Sequence, residues 1–404
     1  MDIKRVLIAN RGEIAIRIAR AAAGLGMESV AVYPAIDETA LHTRYADIKA
    51  PIPGNGVDAY LNLDALIAVA KDHNCDCIHP GYGFVSENAE LAARCADAGI
   101  TFVGPSSDVL TLFGNKVSAR ELAVSLNIPV VPGTPEALPD AATAHKEATR
   151  IGFPVMLKAA GGGGGRGMRM VPDADSLDEA FDRCSSEAEA AFGDGTVFME
   201  KFVVRPRHIE IQILSDGNGN TVHLFERDCS VQLRNQKVIE IAPAPELDSN
   251  ILDQLYADAV KLASSSGYAN AGTVEFLVLP ETGEYFFIEC NPRIQVEHTV
   301  TESVTGIDLV EAQFAIAGGA TLTDLGLADQ TQLSTRGFAI QARVVAQGAG
   351  TISAYKEPAG PGVRVDAAGY AGYAPPPQFD PLLGKVIGMS NSSRSFASAI
   401  NKTL

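Results

Sequence analysis

The chain has 404 residues, 46% of them apolar and 20% charged, which is the composition of a globular protein of two or three domains. A net charge of −17 argues against nucleic acid as a partner, because neutralising phosphates needs a basic surface, yet it leaves room for a small anion in a local basic pocket. No apolar run is long enough to span a bilayer, so no membrane partner is expected. The opening MDIKRVLIAN lacks a signal-peptide pattern and points to the cytoplasm, although a mitochondrial-matrix protein without its presequence would read the same.

In chain order, residues 6–9 read as a strand, 14–25 as a helix, 29–33 as a strand and 61–72 as a helix. Strands at 75–79 and 101–103 flank a helix at 87–98. This alternation predicts a parallel α/β sheet, with Asn10-Arg11-Gly12-Glu13 and Pro80-Gly81-Tyr82-Gly83 at the carboxyl ends of strands, where ligands of such sheets gather. Residues 128–139 hold four prolines and a glycine and lead into a second unit, with strands at 154–159 and 196–202 and a helix near 176–189. From His208 the pattern turns mostly β, with a helix at 251–266. Phe396, Ile400 and Leu404 form one face of a last helix that has no cap, so the chain is expected to be cut short. The six cysteines show no paired metal-ligand spacing and are expected to be buried thiols.

The strongest local signal is Lys158 at the end of an apolar strand, followed by glycines 161–165, Arg166 and Gly167. Successive backbone N–H groups freed by glycine can cradle an anion, and the lysine adds a point charge. A flexible linker is the alternative, but linkers are rarely bracketed by strands and by Lys and Arg. No Gly-Lys-Ser/Thr ends the run, so it is not a Walker loop.

The second signal is a pair of carboxylates. Residues 271–279 and 285–291 read as strands of a hairpin. If residues 281–283 form a three-residue loop, Glu275 falls opposite Glu289, and Asn291 shares that face. Val274, Phe276, Val278, Phe286, Ile288 and Cys290 would then form the core face. Directly opposed acids are destabilising unless neutralised, and two carboxylates with an amide oxygen are hard ligands suited to Mg²⁺ or Mn²⁺. A solvated polar face is the competing reading.

The third signal packs Glu289, Asn291, Arg293, Gln295, Glu297 and His298 into ten residues. Arg293 can fork onto a carboxylate-like anion and Glu297 can serve as general base, whereas a surface salt-bridge strip would look similar. His298 reads as structural. Gly114-Asn115-Lys116 opens a helix with a cation near its N-terminus, which is unfavourable unless an anion binds. Arg207-His208-Ile209-Glu210-Ile211-Gln212 alternates like a strand with an exposed polar face, and residues 228–237 are dense in donors.

Together these residues resemble the biotin carboxylase family, a branch of the ATP-grasp enzymes. The resemblance covers essentially the whole chain. It includes Asn10-Arg11-Gly12-Glu13-Ile14-Ala15, His79-Pro80-Gly81-Tyr82-Gly83-Phe84, Ser86-Glu87-Asn88, the glycine loop, Pro206-Arg207-His208, Gln236-Lys237-Val238 and Asn291-Pro292-Arg293-Ile294-Gln295-Val296-Glu297-His298. It implies an N-terminal parallel-sheet, Rossmann-like α/β domain (1–113), a linker (114–131), an ATP-grasp lid with the glycine loop (132–203) and an α+β C-terminal domain with an antiparallel sheet (204–404). The reaction it implies is phosphorylation of bicarbonate by ATP to carboxyphosphate, whose carbon dioxide then carboxylates the ureido nitrogen of biotin.

Carried over by motif, the resemblance assigns ATP contacts to Lys116, Lys158, Gly164, Gly165, His208, Gln232 and Asn235. It places Glu200, Lys201 and Val203 against the adenine and Glu275, Glu289 and Asn291 on Mg²⁺ or Mn²⁺. Lys237, Arg293, Gln295 and Val296 would cradle bicarbonate, Glu297 would deprotonate it, and Arg343 would steady charge on the biotin ureido oxygen. Departures are Asn235 where several members have histidine, Leu233 where many have arginine, and a shortened run after Arg343. Met168-Arg169-Met170 lacks the lysine of a biotinylation site. Biotin is therefore expected on a separate carrier protein or domain, with a carboxyltransferase component beyond it and a homodimer as the oligomer common among relatives. Another ATP-grasp ligase joining a carboxylate to an amine, or an ATP-binding fragment without turnover, are the rival readings.

Overall fold

The computed structural model describes residues 3–159, 168–192, 195–234, 236–390 and 396–404. Gly164 and Gly165 of the glycine loop, and Asn235, lie outside the described residues. Two compact units emerge, one of Met1–Asn127, Arg207–Phe276 and Glu289–Leu404, the other of Ile128–Pro206 and Leu277–Ile288.

The first unit begins with the expected parallel sheet. Its strands run in the order Ile48–Pro51, Glu28–Tyr33, Arg5–Ile8, Cys77–His79, Thr101–Phe102. The helix Gly12–Gly24 turns Ile14, Ile18, Ala21 and Ala22 into a cluster shared with Leu309, Phe314 and Ile316. Helices Leu63–Asp72 and Ala89–Asp97 begin two residues later than their apolar patterns suggest. The reason is capping: the Asn62 side chain accepts from the Ala65 N–H and Asn88 from that of Leu91.

The loops after Arg5–Ile8 and Cys77–His79 are pinned together at the sheet's carboxyl end. Asn10 Nδ2 donates to the carbonyls of Pro80 and Tyr82, at 2.7 Å each. Gly81 has φ +63°, and a Cβ there would lie 2.9 Å from Asn10 Nδ2, so both backbone and space demand glycine.

A second, eight-stranded sheet has the order Glu284–Asn291, Ala269–Leu279, Arg207–Asp216, Thr221–Leu233, Gln236–Ala242, Phe338–Val345, Leu382–Ser390, Val363–Ala367. The registers from Arg207–Asp216 through Val363–Ala367 are antiparallel. The polar face of Arg207–Asp216 is not exposed as expected: Glu210 and Gln212 are fully buried. Arg227, opposite Glu210 in register, and Thr301 of the helix His298–Thr305 cover that face and satisfy its polar groups. All six cysteines are buried thiols.

The second unit holds a three-stranded antiparallel sheet, Met168–Val171, Val155–Ala159, Val197–Lys201. Helices Ala141–Ile151 and Leu177–Phe192 cover one face, over Val155, Leu157, Val171, Val197 and Met199. Strand alternation sends Lys158 and Glu200 to the other face, where the lysine ammonium donates to the glutamate.

The hairpin tip differs from expectation. The connection is the four-residue turn 280–283, in which Thr282 and Gly283 N–H donate to the Leu279 carbonyl at 3.2 and 2.9 Å. Gly283 takes φ +75°, and Pro280 is drawn into the turn. The three-residue loop, and the direct opposition of Glu275 and Glu289 that it implied, therefore do not follow. Tyr285 and Phe287 are buried in place of Phe286 and Ile288. The alternation then breaks, with Ile288 and Glu289 both partly exposed before Cys290 returns to the core.

Candidate active site

A cavity of about 890 Å³ opens in the first unit and gathers most of the expected residues. His208, Gln232, Lys237, Glu275, Glu289, Asn291, Arg293, Gln295, Val296, Glu297 and Arg343 all line it. Glu275, Glu289 and Asn291 thus share one cavity despite the longer turn, because the break at Ile288–Glu289 resets which side chains face it.

Lys237 is the centre of the polar wall. Its ammonium lies 2.5 Å from Glu210, 2.9 Å from Glu275 and 2.8 Å from Glu297. Burial works against its charge, but Glu210, Glu297 and Glu275 more than offset that and push its pKa up. Behind it, the fully buried Arg227 pairs with Glu210 and donates to Gln212, Thr301, Thr273 and the Gln295 side-chain oxygen. Gln295 in turn donates to Glu275 at 2.7 Å.

Glu297 accepts from Lys237 at 2.8 Å and from Arg343 at 3.1 Å. Burial opposes its ionisation, yet Lys237, Arg343 and Arg227 hold its pKa below the usual carboxylate range against the repulsion of Glu210. It is a buried carboxylate held in its ionised form. Arg343 also donates from Nε to Glu240 at 2.5 Å. Burial and the charge of Glu297 raise the Glu240 carboxyl to about 7, against the pull of Arg343.

Arg293 uses three of its five N–H groups: Nε to Glu87 at 2.6 Å, one terminal nitrogen to Asn291 Oδ1 at 2.9 Å and the other to the Ile294 carbonyl at 3.3 Å. Among the described residues, its other two N–H groups make no hydrogen bond. His298 is fully buried with Nδ1 2.7 Å from the Gln295 carbonyl.

The donor set suits a hard cation. Glu275 Oε1 accepts from Lys237, Asn291 and Gln295, while Oε2 meets only His208, at 2.6 Å, among the described residues. Despite burial, His208 and Lys237 hold Glu275 well below the usual carboxylate range, so it stays ionised. Glu289 is partly exposed, with Lys116 at 3.6 Å. Asn115 caps the helix Lys116–Ser125 and accepts from Val117 and Ser118 N–H. Two carboxylates and an amide oxygen facing one cavity are the ligands that Mg²⁺ or Mn²⁺ takes beside phosphates.

Lys158, Glu200, Lys201 and Val203 belong to the second unit. There Lys201 donates to the carbonyls of Gly152 and Phe153 at 2.9 and 3.1 Å.

A second cavity of about 380 Å³ shares Arg293, Val296, Arg343, Asp380 and Leu382 with the first. Its other wall is Asn10–Glu13 with Tyr82, Gly83, Phe84 and Phe379.

Sequence reasoning missed Glu210, Arg227, Glu240 and Lys385. The signal for the first two was present, an acid in one strand and an arginine in the next, but only the register Arg227↔Glu210 makes it readable.

Glu275 and Glu289 facing one cavity with Lys237, Arg293 and Arg343 fit the donor set of an ATP-grasp ligase. Family models agree along the chain: residues 2–110 match the biotin carboxylase N-terminal domain, 115–325 the ATP-binding domain of the carbamoyl-phosphate synthase L chain, and 341–404 the biotin carboxylase C-terminal domain. The chain belongs to the biotin carboxylase family, ATP-dependent ligases that carboxylate biotin with bicarbonate.

Among solved structures, a biotin carboxylase from Campylobacter jejuni in complex with β,γ-ATP is 41% identical, with a TM-score of 0.87 over 100% of this chain and 92% of that one. The biotin carboxylase domain of a thermophilic 2-oxoglutarate carboxylase bound to bicarbonate is 39% identical, with a TM-score of 0.92 over 100% and 90%. Pyruvate carboxylase 1 of Caenorhabditis elegans is 49% identical over all of this chain, and human mitochondrial pyruvate carboxylase 48%. The chain spans about a third of those curated relatives, 35% of each. Among the described residues, no helix is long and apolar enough to cross a membrane.

Proposed function

We propose that the two cavities joined at Arg343 divide the reaction, the larger taking ATP and bicarbonate and the smaller the biotin ring. The observation that carries this reading is Glu297, an ionised buried carboxylate held between Lys237 and Arg343. Bicarbonate sits against Lys237, Arg293, Gln295 and the Val296 backbone. Glu297 takes its proton as a bicarbonate oxygen attacks the γ-phosphorus and ADP leaves. Carboxyphosphate then parts into phosphate and carbon dioxide, and the ureido nitrogen gives its proton to the released phosphate and bonds the carbon dioxide. Arg343, shared by both cavities, faces the charge that develops on the ureido oxygen.

Lys116, Lys158, His208 and Gln232 take the nucleotide, with Glu200, Lys201 and Val203 against its base. Gly164, Gly165 and Asn235 join them by motif. Glu275, Glu289 and Asn291 hold Mg²⁺ or Mn²⁺, which when bound neutralises phosphate charge and aligns the transfer. The protein's own part is positioning and charge balance.

The relatives named above favour a 2-oxoacid, pyruvate first, as final acceptor, reached through a biotin carrier and a carboxyltransferase component. A homodimer is the assembly proposed. The compartment is the cytoplasm or, as the name of the human relative has it, the mitochondrion. The test is ADP release by the purified chain. It should require bicarbonate and rise with free biotin, whereas ADP release driven by an amine and a carboxylate would favour the rival ligase. ATP binding without bicarbonate-dependent release would mark an inactive fragment.

A further inference from the structure

Lys385 is a lysine with no exposed side chain, in the strand Leu382–Ser390. A buried ammonium is costly unless paired, so its partners carry information. Its Nζ donates to the Val296 carbonyl at 2.9 Å and lies 3.0 Å from Glu13 Oε2. Glu13 lies in the first turn of the helix Gly12–Gly24 and accepts from the Tyr82 hydroxyl. One cation therefore ties together the sheet, the helix start behind Asn10 and the loop that carries Glu297.

The register sharpens the point. Lys385 is the cross-strand partner of Arg343 on one side and of Asp366 on the other. Two cations directly opposed are unfavourable unless each has its own counter-charge. Arg343 has Glu240 and Glu297, and Lys385 has Glu13. The row is thus sorted so that Lys385 leaves the Arg343 partners alone and grips the peptide next to Glu297.

We propose that Lys385 is a positioning residue for the bicarbonate site. The Val296 carbonyl and the Glu297 N–H and Cα belong to one planar peptide unit, so holding the carbonyl holds the point from which the Glu297 side chain departs. Reacting groups misplaced by about 1 Å lose roughly 100-fold in rate. Lys385 touches no substrate and acts through residues 295–297. The proposal rests on the assignment of bicarbonate to that loop.

The test is steady-state kinetics of Lys385→Met and Lys385→Gln, with Arg293→Ala as control. Gln keeps a polar end but falls one bond short of Val296, so whichever variant folds, by its thermal midpoint, carries the test. The expected result is a bicarbonate KM raised at least about 10-fold with the ATP KM within about twofold. A bicarbonate KM within about twofold of wild type, or bicarbonate and ATP constants that rise together, overturns the proposal. If Arg293→Ala raises the bicarbonate KM while the Lys385 variants do not, only the Lys385 role falls. If Arg293→Ala leaves it unchanged as well, the site assignment falls.

Discussion

The Lys237 ammonium lies 2.8 Å from the Glu297 carboxylate and is shared with Glu210 and Glu275. One cation thus balances three acids from three segments, which keeps Glu297 ionised in a buried setting. A base held this way is weak in pKa terms, so its use depends on placement against the proton it takes.

Glu297→Gln keeps the size and some hydrogen bonding of Glu297 but cannot accept a proton. Bicarbonate-dependent ADP release should fall by about 10²–10⁴-fold, while the ATP affinity stays within a few-fold. Coupled spectrophotometric assay and nucleotide titration check the two halves.

Glu240 gives a pH signature. Its folded pKa is raised to about 7, against about 4.3 unfolded, so between those values the folded chain binds the extra proton. Stability therefore falls as pH rises through that window because of this group. Glu240→Gln removes the titration. The variant's unfolding free energy minus that of wild type should grow more positive from pH 5 to pH 8. Denaturant melts at each pH measure it, and a flat difference refutes the assignment.

Arg227 is fully buried against Glu210, with four further acceptors. Arg227→Met removes one of the two cations on the fully buried Glu210, leaving only Lys237, and empties four further hydrogen bonds, and should cost about 3–5 kcal/mol in unfolding free energy. Arg94→Ala breaks exposed pairs with Asp64 and Glu90 and should barely move the same transition. Equal losses in the two variants would show that burial of the Arg227 network contributes nothing special.

The parts of the site legible in the sequence were those encoded locally. Asn291, Arg293, Gln295 and Glu297 follow one another along seven residues, so their gathering needs only one loop. Glu275 and Glu289 reached the same cavity although the turn was one residue longer than assumed, because a break in the strand restored the facing. Glu210 looked solvated because alternation shows which residues share a face but not what covers it. The partnerships of Glu240 and Lys385 depend on the registers Glu240↔Gln341 and Arg343↔Lys385, set by packing across about 100 and 40 residues of chain, and no local pattern carries them. The parallel sheet was plain from periodicity, while helix starts shifted to Asn62 and Asn88 because side-chain caps outrank apolar spacing.

Mn²⁺ binding in the presence of ADP, followed by electron paramagnetic resonance, tests the metal grip most directly. Wild type should bind the ion through Glu289 and Glu275, and Glu289→Gln and Glu275→Gln should each weaken it at least about 10-fold in a folded chain. Affinities within about twofold of wild type in both variants would mean that these two carboxylates do not hold the ion, and the account of the cavity would be wrong.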